Sequence, residues 1–265
     1  MMESPLARTK LIGDLEREPL RNVVLLKQLA AFPKYTTGYR ATDHAGATAH
    51  LVVLDAQASS YDREAYPTAA SVALISSNDA AMTARVISVL SRDRGIVFKL
   101  ASAVDHKVVA SCFPVERKAA FHSFTAGSEF ERDEDVHTGN DPSDMAISLL
   151  QGQGHPRDWL LPLLQSDKAF VCNINVGGAL ASVCITFESY GRVWEVGGVV
   201  TPEAFRGRGL AGRVVRTALA VLSERALIPR YQVNGDNHAS LSVARKTGLQ
   251  HFLTLEHYLY NPSQH

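Results

Sequence analysis

The sequence VWEVGGVVTPEAFRGRGLAG, residues 193–212, predicts a strand, a short loop and the start of a helix that continues to about Leu227. A proline and an arginine occur in the loop, and glycines follow where the helix begins. A helix that begins in such a turn directs unpaired backbone N–H groups, and the positive end of its dipole, at one point. Anions bind at such points. Arg206 and Arg208 add charge-assisted donors, so we predict a pyrophosphate site rather than a site for a lone carboxylate.

The charge balance of the whole chain argues against a basic binding surface. Among the 265 residues, 27 are Lys or Arg and 27 are Asp or Glu. No overall field therefore attracts nucleic acid or an anionic membrane. No signal-peptide pattern opens the chain, and no apolar run reaches the roughly 18 residues that a membrane span requires. We predict a cytoplasmic protein without nucleic-acid or membrane partners.

The cysteines and histidines do not form a recognisable metal-binding pattern. Cys112, Cys172 and Cys184 lie in apolar segments without CxxC spacing, which is typical of reduced core thiols. The 10 histidines show neither HExxH nor HxH spacing. No GxSxG motif occurs, and no cysteine has a recognisable catalytic partner. We predict no metal and no covalent enzyme intermediate.

Residues 127–144, GSEFERDEDVHTGNDPSD, form the best candidate domain boundary. This segment is acidic, rich in turn-forming residues and poor in apolar ones. We therefore predict an N-terminal α/β domain over residues 1–127 and a second domain over residues 128–265. The first domain contains no phosphate loop, no nucleophile elbow and no metal-spaced cluster, so its role is not readable from its sequence.

The second domain has a pattern of helices and strands typical of an α/β (α+β) fold. Its strand at 179–188 alternates apolar and polar residues, as a half-buried strand does. A Val-Gly-Gly segment before it predicts a hairpin. The predicted elements are helices at 142–151 and 156–164, strands at 170–175 and 179–188, the strand, loop and helix described above, a strand at 230–234, a short helix to Lys246, and a last strand at 249–260.

A dinucleotide-binding fold is one interpretation of the glycine-rich turn, since residues 207–212 match GxGxxG. In that fold the strand runs directly into the first glycine. Here Thr201 to Arg206 intervene, and only about 55 residues remain after the turn. That is too few for the further βαβ units of a doubly wound sheet. An oxidoreductase that binds NAD or NADP is therefore disfavoured.

The same turn also fits Arg-x-x-Gly-x-Ala, with Arg206, Gly209 and Ala211 at the defining positions. In this motif the chain resembles the GCN5-related N-acetyltransferase (GNAT) superfamily, over roughly residues 130–260. The sequence NHASLSVARKTGL, residues 237–249, is similar to the helix motif that follows in that family. The resemblance implies a mixed, mostly antiparallel sheet flanked by helices and splayed between its fourth and fifth strands.

Two finer features of the resemblance concern the branch and the first domain. The runs EVGGVV and IPRYQVN resemble the branch related to glycine N-acyltransferases. Members of such branches can carry an N-terminal domain that is a degenerate copy of the same fold. The resemblance therefore implies a degenerate GNAT-like copy in residues 1–127, although no internal sequence repeat is visible.

The resemblance implies an N-acyltransferase that moves an acetyl or other acyl group from acyl-CoA to an amine by direct attack in a ternary complex. The neutral charge favours a small-molecule amine as acceptor. A non-catalytic acyl-CoA-binding module is the alternative. The oligomeric state is not predicted. The implied coenzyme-binding residues are the pantetheine-pairing Val199, Val200 and Thr201, the phosphate-binding Arg206, Gly207, Arg208, Gly209, Leu210, Ala211 and Gly212, and Asn237, which either orients the coenzyme or caps the next helix.

Glu195 lies 11 residues before Arg206, where some members of the family place the carboxylate that deprotonates the attacking amine. An ammonium is not a nucleophile, so a base must first take its proton. The alternative role of Glu195 is a structural pair with an arginine of a neighbouring strand. Beside it, Gly197 and Gly198 predict a bulge or a close approach of the backbone.

One position departs from the family pattern. Members often have a tyrosine seven residues after the position of Asn237, where it protonates the leaving thiolate, and here that position is Ala244. Either another donor serves or the thiolate leaves without a proton. The candidate donors are Ser240, His238, Tyr258 and Tyr260.

Overall fold

In the computed structural model, which describes residues 6–264, the chain divides into two units. The first comprises the chain up to Phe121 and from Leu253 onward, and the second comprises His122–Phe252. The sequence placed the boundary at residue 127 and continued the second domain to residue 265. The packing differs at that end, because the last strand of the chain pairs with a strand of the first unit.

The first unit contains a mixed sheet with helices on its faces. Numbered in chain order, its helices are α1 (Arg8–Leu15), α2 (Pro19–Ala31), α3 (Ser60–Ala65), α4 (Ala80–Ile87) and α5 (Ala103–Cys112). Its strands are β1 (Thr36–Thr42), β2 (Thr48–Asp55), β3 (Ala69–Ser77), β4 (Gly95–Leu100) and the end of β11 (Leu249–Tyr260), with β5 (Val115–Ala126) leading out of the unit. Antiparallel pairing joins β1 to β2, β2 to β3 and β4 to β11, whereas β3 and β4 are parallel.

The second unit contains the elements predicted around the glycine-rich turn. Its helices are α6 (Asp144–Gln151), α7 (Arg157–Gln165), α8 (Leu210–Glu224) and α9 (His238–Thr247). Its strands are β6 (Val136–Gly139), β7 (Ala169–Val176), β8 (Ala179–Tyr190), β9 (Val193–Val200) and β10 (Ile228–Asn234). Strands β6 to β9 pair antiparallel in sequence order, and β10 is parallel to β9. The predicted mixed, mostly antiparallel sheet flanked by helices is confirmed.

Apart from β6, which precedes the helices of the second unit, both units have the same order of elements, which is two helices, three strands, helix, strand, helix. The first unit adds the short helix α3 between its second and third strands. This repeat agrees with the interpretation of residues 1–127 as a degenerate copy, which stays a prediction.

The sheet of the second unit is covered on both faces. On one face, Trp194 and Val196 pack with α8 and α9. On the other face, Ile185 and Phe187 pack with α6 and α7. Because successive residues of a strand point to opposite faces, Glu195 and Gly197 lie on the face that carries α6 and α7.

The sheet splits between β9 and β10. Their paired residues run only from Val193 and Ile228 to Glu195 and Arg230, although both strands continue beyond this point. Past the split, β9 keeps the partner β8 on its other edge. The splay predicted between the fourth and fifth strands is therefore present.

No helix within residues 6–264 is both long and apolar enough to cross a bilayer.

Candidate functional site

A cavity of about 610 Å³ lies at the start of α8. It is bounded by the end of β9, the glycine-rich turn and the first turns of α9. The structure brings together all of the predicted coenzyme-binding residues on its wall, namely Val199, Val200, Thr201, Arg206, Gly207, Arg208, Gly209, Leu210, Ala211, Gly212 and Asn237.

The turn into α8 depends on two glycines with left-handed backbone conformations. Gly207 has φ +77° and Gly209, which is the N-cap of α8, has φ +74°. No side chain caps this helix. The first N–H groups of α8 therefore lack intrahelical acceptors and face the cavity, as an anion-binding helix start requires.

Four cationic residues line the cavity, namely Arg206, Arg208, Arg216 and Lys246, and no Asp or Glu is among the described lining residues. The Arg206 side chain donates to the Thr201 carbonyl at 3.1 Å. The Arg208 guanidinium lies 5.6 Å from the centre of the Phe205 ring. This wall favours a ligand with several negative charges.

Sequence reasoning missed Arg216, which lies in the interior of α8, and Lys246, which lies in the last turn of α9. Arg216 lies one helical turn after Gly212, and its guanidinium is 3.6 Å from the point where a Cβ on that glycine would lie. Helical spacing from the glycine-rich turn was a usable signal for Arg216. Lys246 had no comparable local signal, because its place beside the turn depends on how α9 packs.

The sequence offered two roles for Asn237, orienting the coenzyme or capping the next helix. The structure shows that Asn237 caps α9. Its side-chain oxygen accepts a hydrogen bond from the Ser240 N–H at 3.0 Å, and it is the N-cap of α9. It also lines the cavity. The cap and the contact with a ligand are therefore compatible at this residue.

Glu195 lies at the point where β9 and β10 separate. Its Oε2 accepts a hydrogen bond from Nη1 of Arg230 at 2.6 Å, and Arg230 also donates to the Ser123 hydroxyl at 3.3 Å. The side chains of Arg230 and Glu195 are 3% and 16% exposed. The sequence offered two roles for Glu195, a catalytic base or a structural pair with an arginine of a neighbouring strand. The structure shows that the pair is formed.

The two glycines after Glu195 form the predicted bulge. Between the pairs Ile185 with Gly197 and Val183 with Val200, β9 has one residue more than β8. Gly198 has φ +57°, and a Cβ there would lie 2.9 Å from both His155 and Leu150. The prediction of a bulge is confirmed, and the close neighbours explain why a glycine is needed.

An aromatic group covers this bulge, and sequence reasoning did not find it. His155, in the loop between α6 and α7, stacks on Trp159 with ring centres 5.3 Å apart. Trp159 meets the edge of Phe187 at 5.0 Å. Phe187 is the partner of Glu195 across β8 and β9, so the aromatic group adjoins the carboxylate.

The four candidate proton donors for a leaving thiolate lie in different places in the structure. Ser240 lines the cavity, whereas the exposed His238 is not among the lining residues. Tyr258 and Tyr260 belong to the core of the first unit, where their hydroxyls donate to Glu256 and to the Arg92 carbonyl. Of the four predicted candidates, the cavity therefore retains Ser240.

A further hydroxyl lies behind Ser240. Tyr231 of β10 is buried in the same apolar core as Ala244, which is completely buried. Burial raises the pKa of Tyr231 to about 12, and a hydrogen bond with the Ser240 side chain opposes that shift. The phenol therefore stays protonated near neutral pH and can donate toward Ser240.

Comparison with known proteins agrees with this geometry. Residues 141–249 match the model of the family described as Acetyltransferase (GNAT) family. Among solved structures, the chain is similar to a GCN5-related N-acetyltransferase from Sphaerobacter thermophilus, with a TM-score of 0.61, 9% identity, and 99% of this chain and 95% of that chain covered. An acetyltransferase from Colwellia psychrerythraea gives a TM-score of 0.59 and 9% identity, with 98% and 99% covered.

A tandem GNAT protein from the clavulanic acid biosynthesis pathway is also similar, with a TM-score of 0.54, 13% identity, and 99% of each chain covered. At such identities the likeness to these structures establishes the fold alone. The comparison with curated proteins finds no match.

Proposed function

Since residues 141–249 match the model of the acetyltransferase (GNAT) family, we propose that the chain transfers an acetyl or other acyl group from acyl-CoA to an amine. The observation that carries the proposal is the cavity of about 610 Å³ at the start of α8. Its wall combines backbone N–H groups without intrahelical acceptors, four cationic side chains and, among the described residues, no carboxylate. Coenzyme A carries a pyrophosphate and a further phosphate, so its charge matches this wall.

In the proposed complex, the N–H groups of residues 207–212 bind the pyrophosphate, with Arg206 and Arg208 beside them. Arg216 and Lys246 remain for the other phosphate. The pantetheine arm follows the main chain of residues 199–201, where β9 has separated from β10. The unpaired edge of β9 can then hydrogen-bond with the amides of the arm, as an added strand would.

The acyl end of the arm is proposed to point toward the split in the sheet, where Glu195 lies. Glu195 takes the proton of the acceptor ammonium, directly or through a water molecule, and the free amine attacks the thioester carbonyl. A backbone N–H near Val199 binds the oxyanion of the tetrahedral intermediate. The carbon–sulfur bond then breaks, and the thiolate takes a proton from the Ser240 hydroxyl, which Tyr231 supports. The attacking nitrogen releases its surplus proton to solvent, and Ser240 regains a proton from solvent.

The acceptor is proposed to be a small-molecule amine that enters beside His155, Trp159 and Phe187. These rings adjoin Glu195, and Trp159 is 36% exposed. An aromatic wall next to a carboxylate attracts an ammonium group through both charge and ring contacts. Membership of the branch related to glycine N-acyltransferases stays a prediction.

A thiol-release assay tests the proposal. The full chain is incubated with acetyl-CoA and a panel of small amines, and free thiol is followed against controls without enzyme or without acceptor. We expect thiol release that depends on an amine. Binding of CoA without turnover on any acceptor would instead favour a non-catalytic acyl-CoA-binding module. Two observations keep that second candidate open, namely the buried Ala244 and the Glu195–Arg230 pair.

Replacing Gly209 by Ala is expected to weaken CoA binding about tenfold, because a Cβ near the helix start interferes with the approach of phosphate and strains a left-handed residue. Titration calorimetry measures the change. Gly46→Ala is the matched control, since Gly46 has φ +89° and a Cβ added at either glycine would meet no atom within 4 Å beyond the adjacent residues. Gly46→Ala should cause a similar backbone strain and leave the affinity for CoA unchanged. An equal loss in both variants would contradict the assigned role.

One CoA molecule is expected to bind per chain. The helix of the first unit that corresponds to α8 in element order is α4, and its start is occupied by its own Asp79 carboxylate. The Asp79 side chain accepts a hydrogen bond from the Met82 N–H at 2.9 Å. A carboxylate at this point repels phosphate and uses a donor that phosphate requires. Calorimetry should give a stoichiometry near one, and a value near two would contradict this reading of the first unit.

A further inference from the structure

The first unit contains a polar cavity of about 240 Å³ that the acyl-transfer proposal does not use. It lies between the chain segment that joins α1 to α2, the strands β1 and β2, and the end of β3. Every lining residue described is charged or has a side chain that can form hydrogen bonds. These residues are Asp14, Arg17, Glu18, Arg21, Asn22, Arg40, Thr48, His50, Ser76, Ser77 and Asn78.

Asp14 forms the centre of a partly buried charged group on the cavity wall. Its carboxylate lies 3.1 Å from Arg40, 3.3 Å from Arg17 and 3.5 Å from Nε2 of His50. The side chains of Asp14, Arg40 and His50 are only 13%, 16% and 12% exposed. One carboxylate therefore faces two guanidinium groups and an imidazole, of which Arg40 and His50 are mostly buried, whereas the Arg17 side chain is 80% exposed.

The cavity wall carries an excess of positive charge. Three arginines oppose two carboxylates, because Glu18 is the only other acidic lining residue described. Burial lowers the pKa of His50, and the nearby Arg40 and Arg17 act in the same direction against Asp14. His50 is therefore neutral at pH 7, and the lining keeps one positive charge. Asp14 and Arg40 balance each other, so the surplus charge lies on the exposed Arg17 and Arg21, where an anion from solution can reach it.

Arg21 is the arginine best placed to act on a ligand. It is exposed, and its guanidinium donates a long hydrogen bond of 3.4 Å to the Ser77 carbonyl. His50 adds a second polar group, since its buried Nε2 makes, within the described residues, no hydrogen bond shorter than its 3.5 Å contact with the Asp14 carboxylate. These groups face the same cavity as the Asp14 cluster.

We propose that this cavity binds a small oxyanion, either a carboxylate or a phosphate. The guanidinium groups of Arg17, Arg21 and Arg40 have the fork geometry that matches such anions. The volume corresponds to about eight water molecules, so the ligand is much smaller than a coenzyme. Hydroxyl and amide groups of Thr48, Ser76 and Asn78 form the polar wall that such a ligand also needs.

The site is independent of the acyl-CoA cavity, which lies in the second unit, and the proposal does not rest on the proposed function. The test must nevertheless separate the two, because inorganic phosphate can also bind at the start of α8. The imidazole of His50 provides this separation. Its ring signals in a proton–carbon NMR spectrum report on the first unit, and a His50→Gln variant identifies them.

The experiment titrates the full chain with phosphate or with acetate at pH 7.5, at constant ionic strength, and follows the His50 ring signals. We expect a saturable shift with at least one anion, and the anion that saturates first identifies the ligand class. Arg21→Gln should weaken that binding about fivefold. Arg63→Gln is the matched control, since Arg63 is also exposed and donates to a backbone carbonyl, that of Gln57.

Two results would overturn the proposal. The first is that neither anion shifts the His50 signals in a saturable way. The second is that Arg21→Gln and Arg63→Gln change the affinity equally, because the anion would then respond to overall charge and not to this cavity. Arg21 is exposed and lies outside the buried pair of Asp14 and Arg40, so its replacement should leave the fold intact.

Discussion

Replacing Glu195 by Gln should lower kcat about 100-fold with a basic aliphatic amine as acceptor, because the acceptor ammonium then has no base nearby. The amide oxygen of Gln can still accept the hydrogen bond from Arg230, so the strands should remain in place. CoA affinity should stay unchanged, since Glu195 is not among the residues that line the coenzyme cavity. Steady-state thiol release and calorimetry measure the two quantities.

A weakly basic acceptor separates the catalytic role of Glu195 from a structural one. An aromatic amine is already deprotonated at neutral pH, so its acylation should depend less on the base, and the loss should fall below about tenfold. A structural defect would affect both acceptors equally. Glu188→Gln on β8 is the control carboxylate, since Glu188 pairs with Lys168 at 3.3 Å. Full turnover of Glu195→Gln with the basic amine would remove Glu195 from the mechanism.

Replacing Arg230 by Met should lower the free energy of unfolding by about 3 kcal/mol, because it leaves the Glu195 carboxylate without its partner in a poorly hydrated place. Arg230 is 3% exposed, and it holds both Glu195 and the Ser123 hydroxyl. Urea denaturation followed by circular dichroism measures the loss.

The double variant Glu195→Gln with Arg230→Met supplies the control for this loss. Because it removes both charges, it should recover at least half of the lost stability. Arg192→Met provides an exposed arginine for comparison; its side chain donates to the Ala226 carbonyl. If Arg230→Met were as stable as Arg192→Met, the pair at the split of the sheet would not be a structural element.

The coenzyme cavity is the part of the site that sequence reasoning could reach, because most of its wall is one continuous segment. Glycines at 207 and 209 have positive φ, and the helix that follows presents its own N–H groups. Both properties are local to the backbone. Asn237 is local in the same way, since its cap bonds the N–H three residues later.

The remaining parts of the site depend on residues that are distant in the chain. Arg230 meets Glu195 because a parallel register places them opposite each other, and no sequence spacing shows that register. His155 reaches Gly198 because α6 and α7 pack on one face of the sheet. In the first unit, Asp14, Arg40 and His50 come from a helix and two strands and meet only after folding.

The sequence by itself determined the glycine-rich turn, most of the order of helices and strands in the second domain, and the family resemblance. These features follow from backbone conformation and from hydrophobic periodicity over short distances. Only the tertiary structure decided the partner of Glu195, the cationic residues that α8 and α9 bring to the cavity, and the pairing of the end of the last strand with the first unit. Each of these depends on which strand edges and helix faces pack together, and such packing is a property of the whole chain.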